Sequence, residues 1–156
     1  MATPMFHNPV YGPRIVPFGE PRTRADYLPN GHPGFRVTQR FADWAVFLKK
    51  SIHGAIDIAN YNCGDDVLAM LRGVCVVLRD PNGAIGVEIR HPNGWRSQYW
   101  HLRKVNVVTG QSVFRGRRIG WVGSTGLDIG GCHLHLVAIN PSGVKVDPWP
   151  LLYQNA

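Results

Sequence analysis

The sequence predicts an all-β domain built on an antiparallel β-sheet or sandwich, and three observations predict it. Of 156 residues, 18 are Gly and 12 are Pro, so chain reversals are frequent and long helices have little room. Between these breakers lie short runs rich in Val, Ile, Trp and Tyr, the residues that suit a pleated surface. In VEIRH and RSQYWHL, apolar and polar side chains alternate, as they do in a sheet with one wet face.

The elements follow in order. Residues 1–34 hold seven of the 12 prolines; their fixed φ angles and missing donors predict an extended, irregular arm that lies on the domain or docks a partner. His7 and His32, within it, read as surface residues. The domain proper is expected over 35–156. FRVT opens it as a short strand, and RFADWAVFLKK reads as a loop or brief helical turn. Strands are then predicted at IDIA, VLAM, GVCVVLR, AIGVEIRH, WRSQYWHL, SVF, RIGWVG, HLHLVAIN and VKV. PNG at 81–83 and again at 92–94 supplies hairpin turns.

Composition narrows the function. A hydrophobic content of 44% supports a folded chain. The net charge of +7 favours anionic partners such as nucleic acid, an anionic membrane or an acidic wall polymer, with Arg103, Lys104, Arg115, Arg117 and Arg118 the densest basic group. No helix-turn-helix, cysteine-pair finger or basic-aromatic stripe is present, so no nucleic acid is expected. Cys63, Cys75 and Cys132 have no CxxC spacing and define neither a metal site nor a disulfide framework. At most one bridge is expected, with Cys63–Cys75 conceivable, and the expected state is three reduced thiols. MATPMFHNPVYGPRIV lacks the basic start and apolar core of a secretory signal, and no run is long enough to span a bilayer. The expectation is synthesis in the cytoplasm without an export signal.

Two clusters carry the chemistry: His53 and Asp57 in SIHGAID, and His133 and His135 in GGCHLHL. A further histidine, His101, lies in QYWHL. On a strand, His133 and His135 leave the same face. His53, Asp57 and His135 would give two nitrogens and one oxygen to a metal, with a fourth position open. Zinc suits that set for hydrolysis, although the same ligands also bind iron(II). His101 and His133 would stand beside the metal, where either could take a proton from water or donate to a developing oxyanion. His91, in RHPNG, reads as structural. The glycines of GQSVFRGRRIGWVGSTG permit tight turns; without GK[ST] they form no phosphate loop, and without a tip lysine no carrier hairpin.

These residues resemble the lysostaphin/LytM-type zinc metallopeptidases, which are peptidoglycan endopeptidases. The likeness runs from about Phe35 to Leu152 through HGAIDIA, GVEIRHPNGWRSQYWHL, VTGQSVFRGRRIGWVGSTG, HLHL and VDPWPLL. It implies an all-β fold around an antiparallel sheet crossed by a groove. It further implies zinc on His53, Asp57 and His135, with His101 and His133 as the catalytic pair. Ala55 stands where Gly is common in the family, Cys132 where Pro is common, and Val137 where Glu or Gln is frequent. None of these removes a ligand. A wall hydrolase without an export signal implies a bacteriophage setting, either a tail-associated virion protein whose arm contacts tail proteins or a soluble endolysin. A non-catalytic wall-docking or structural module is the alternative from another class.

Overall fold

The computed structural model describes residues 6–12, 14–41, 54–60, 62–126 and 131–153. Its main sheet is antiparallel and runs in the order β2 (Arg36–Gln39), β3 (Ile56–Ala59), β11 (Leu134–Ile139), β7 (Arg96–Trp100), β6 (Ile85–Arg90), β5 (Gly73–Arg79) and β9 (Ser112–Val113), with β12 (Lys145–Val146) paired to the end of β11. A second sheet places β10 (Arg118–Val122) between β4 (Asp66–Leu68) and β8 (Leu102–Val105). The predicted all-β class holds. Both PNG turns close hairpins, through Gly83 N–H to the Asp80 carbonyl and Gly94 N–H to the His91 carbonyl.

The core forms where the alternation says it should. In β11, Leu134, Leu136 and Ala138 are fully buried, and so are Tyr99, Val87, Ile89 and Cys75 on the same face of the neighbouring strands. The opposite face carries Asp57, His135, Trp100, Gln98 and Glu88 in cross-strand register. WRSQYWHL is two strands rather than one. His101 takes φ +67°, a left-handed value that the sequence does not announce in a non-glycine residue, and there the chain leaves the main sheet for the second.

The proline-rich arm lies on the domain. Phe6 and His7 form β1, parallel to β13 (Leu152–Tyr153), and Val16 bridges to Arg36. Phe6, Val10 and Ile15 join the main core. Asp26, buried, accepts from Arg14 at 2.7 and 3.1 Å and from the Thr23 amide at 2.7 Å. These bonds hold its carboxyl well below the usual range.

Under Phe6 runs a directional hydrogen-bonded chain. Met70 N–H donates to Tyr99 Oη (3.0 Å), Tyr99 Oη pairs with Ser97 Oγ (2.8 Å), and Ser97 Oγ pairs with His91 Nε2 (3.0 Å). His91 Nδ1–H donates to the Arg72 carbonyl (2.8 Å). His91 is therefore structural, as expected. Burial lowers its pKa, against the opposing pull of the Arg72 carbonyl. The unfolded chain then binds more protons below the ordinary imidazole value of about 6.5, so stability is full above that value and lost as pH falls. Thermal unfolding at about pH 7.5 and about pH 5 should show a larger drop in Tm for wild type than for His91→Gln. Equal drops would count against His91 as the source.

Candidate active site

Strand register brings together residues remote in sequence. Asp57 on β3 faces His135 on β11, and His135 faces Trp100 on β7, so all three side chains leave one face of the sheet. His135 Nδ1–H donates to Asp57 Oδ1 at 2.9 Å, and His133 Nε2 lies 3.8 Å from Asp57 Oδ2. The His101 ring centroid is 4.9 Å from that of His133 and 5.4 Å from that of His135. Four of the five residues singled out from the sequence therefore meet at one place. The fifth, His53, lies outside the described residues.

Two backbone carbonyls orient the outer histidines. His101 Nδ1–H donates to Thr125 O at 2.8 Å, and His133 Nδ1–H donates to Gly131 O at 3.0 Å. In both rings Nε2 is then the nitrogen left for proton exchange. Thr125 is itself pinned: its hydroxyl donates to Leu102 O (2.7 Å) and accepts from Ile85 N–H (3.1 Å). Gly126 completes the support at φ +110°, where a Cβ would come within 2.9 Å of Ala84 and 3.4 Å of His101 Nδ1. Burial pushes the His101 pKa down to about 4, helped by His133 and His135 and opposed by the Thr125 carbonyl and Asp57. The ring is neutral at physiological pH and able to accept a proton. Thr125 and Gly131 act through main-chain oxygens, which no side-chain pattern announces, although each lies in a run the sequence singles out, GSTG and GGCHLHL.

The cysteines correct the sequence reading. Cys63 is joined to Cys132, with Cα atoms 5.3 Å apart and a sequence separation of 69; Cys75 is the free thiol, buried on β5. Spacing could not reveal this pair, because it depends on β3 and β11 being neighbours. Cys63 follows β3 and Cys132 precedes β11, so the bond ties both halves of the site together beside His133. The Cys75 thiol, pushed up to about 11 by its burial, takes no part. Replacing Cys63 and Cys132 by Ser should cost about 2–5 kcal/mol, given the long loop closed. Denaturant midpoints under oxidising and reducing conditions check this, and identical midpoints would contradict it.

On metal binding the His135 proton would move from Nδ1 to Nε2, and the freed Nδ1 lone pair together with Asp57 Oδ1 fits a divalent ion. Two atoms bound tetrahedrally at about 2.0–2.1 Å from zinc lie about 3.3 Å apart, close to the His135–Asp57 separation of 2.9 Å. Among the described residues no third ligand joins these two, and the third position expected from the sequence is that of His53. Such a pair of donors can hold a Lewis acid, and the adjacent imidazoles can move protons.

The chain is similar to known proteins in sequence and in fold. The family model for peptidase family M23 matches residues 51–148. The peptidoglycan DD-endopeptidase ShyA of Vibrio cholerae is 41% identical over 75 residues, which are 48% of this chain and 16% of ShyA, so the chain spans only a small part of that relative. The catalytic domain of the antimicrobial peptidase lysostaphin from Staphylococcus simulans is 28% identical, with a TM-score of 0.65 over 74% of this chain and 90% of that domain. A zinc-containing peptidase from Vibrio cholerae shares the fold, with a TM-score of 0.64 at 22% identity over 94% of this chain and 41% of that one. From the matched span, which holds both clusters and the histidine between them, the chain belongs to peptidase family M23.

Proposed function

We propose that the protein is a zinc-dependent endopeptidase that hydrolyses peptide cross-links of bacterial peptidoglycan. One observation carries this reading: the Asp57–His135 pair at 2.9 Å, with the rings of His101 and His133 packed beside it. His53, Asp57 and His135 would hold the ion. Zinc, when bound, supplies a Lewis acid that polarises the scissile carbonyl. His101 and His133, with Nδ1 committed to backbone carbonyls, present Nε2 to take a proton from the attacking water and return it to the leaving amine. Trp100, the cross-strand neighbour of His135, packs on Gly86, where a Cβ would come within 2.6 Å of its ring.

The test is a zymogram on cell walls with the metal-loaded chain, with and without chelator. A lytic band that chelator abolishes and zinc restores is the expected result. No band from loaded, folded protein, where a related enzyme gives one, would overturn the reading.

The proposed setting is a bacteriophage tail, the protein travelling to the wall with the particle; the alternative of the same chemistry is a soluble endolysin. Support comes from the arm, whose Tyr11, Phe18 and Tyr27 stand outward at 62%, 44% and 47% exposure and offer an aromatic surface to a partner. Mass spectrometry of purified particles decides between the two.

A further inference from the structure

The sheet face that carries Asp57 and His135 also carries a charged cluster which the proposed chemistry does not use. Glu88, at the centre of β6, is 3% exposed. It accepts from Arg90 Nε (2.8 Å), Arg96 Nη1 (3.2 Å) and Gln98 Nε2 (3.0 Å). Gln98 in turn accepts from Trp100 Nε1–H at 3.0 Å, and Trp100 is the cross-strand neighbour of His135. A hydrogen-bonded run of side chains therefore reaches from Trp100, the strand neighbour of the candidate ligand His135, out to two arginines.

Four features separate this cluster from an ordinary surface ion pair. Arg90 and Arg96 are directly opposed across β6 and β7, a like-charge placement that disfavours the sheet. One carboxylate serves two guanidiniums, so a net positive charge is left over. The row continues through Ile139 to a third cation, Lys145. The guanidiniums are also reachable, with side-chain exposures of 61% for Arg90 and 37% for Arg96, whereas Glu88 is sealed beneath them. Each guanidinium has five N–H donors, and Glu88 takes one from each, so these half- to mostly exposed side chains keep donors for a further acceptor. A buried anion that fixes two outward-facing forks is preorganised to receive a second carboxylate in the bidentate manner arginine favours.

We propose that Arg90 and Arg96, held by Glu88, form a subsite for a carboxylate of an acidic peptide strand lying across this face. The proposal rests on the endopeptidase reading, and deepens it by naming the charge of the substrate. Arg96 is four residues along β7 from Trp100, which places the subsite about 13 Å from the metal pair, roughly three to four residues from the bond that is cut.

The experiment uses the full chain and two matched probes, a cross-linked stem-peptide dimer purified from digested wall and the same dimer with its carboxylates amidated. Calorimetric binding and kcat/KM are both measured. Wild type should bind the free acid about tenfold more tightly than the amide, with the same preference in kcat/KM. Arg90→Ala and Arg96→Ala should each bring the acid down towards the amide while leaving the amide's values and the melting curve in place. Arg96→Lys should keep part of the preference. Equal binding of acid and amide by wild type would overturn the proposal, and so would variants that weaken both peptides alike. If the acid is preferred in binding but neither dimer is ever cut, the subsite stands and the hydrolase reading falls.

Discussion

Asp57→Asn should abolish turnover and strip the protein of its metal while leaving the fold intact. Among the described residues the carboxylate lies 2.9 Å from His135 Nδ1 and 3.8 Å from His133 Nε2. Asn has nearly the same shape, so β3 keeps its register, but it is neutral and is a poor ligand beside an imidazole. Lewis-acid stabilisation of several kcal/mol, at 1.4 kcal/mol per tenfold, corresponds to a loss of about 10³-fold or more. His135→Ala should behave alike, because it removes the other described donor. Metal content by mass spectrometry supplies a readout independent of rate. Full zinc occupancy in Asp57→Asn would remove this residue from the ligand set. Unchanged activity in either variant would remove the metal from the mechanism.

Much of this was legible in the chain, and the reasons differ by feature. Strands β5 and β11 are readable as short apolar, β-branched runs that stop at Gly, Asn or Pro, and β6 adds the alternation of VEIR. His133 and His135 were readable as a pair from period-two geometry, and their union with Asp57 follows from the β3–β11 register. What escaped depends on backbone conformation or on contacts between distant segments. The left-handed turn at His101 splits one expected strand into two, and nothing in QYWHL signals a positive φ. The prolines of the arm block long ladders, yet Phe6, Val10 and Ile15 still reach the core, and no local pattern reports such packing. The Cys63–Cys132 bond was missed for the same reason. Glu88, Arg90, Arg96 and Gln98 were visible only as the wet side of an alternating strand; their joining into one network needs the pairing of β6 with β7.

Replacing the outer histidines should give a different signature from losing a ligand. His133→Ala and His101→Ala should each lower kcat by about 10²–10⁴-fold, the range for a positioned acid or base, while zinc remains bound. The reasoning is geometric. Each ring is held by a single Nδ1–H bond to a main-chain oxygen, Gly131 or Thr125, and each presents Nε2 beside the Asp57–His135 pair. Neither ring is needed to keep that pair in register, since the β3–β11 ladder does so. The two histidines are 4.9 Å apart and would serve one proton path, so their losses should not add. The double variant should be little slower than the slower single variant. Strict additivity would place them on independent steps, and loss of zinc in either single variant would make that histidine a ligand instead. Thr125 offers a finer check, because its carbonyl holds His101 while its hydroxyl holds the loop through Leu102 O and Ile85 N–H. Thr125→Val frees the loop without touching either imidazole. It should lower kcat by about 10–100-fold with zinc still in place, as expected when a supporting partner of a site residue is lost.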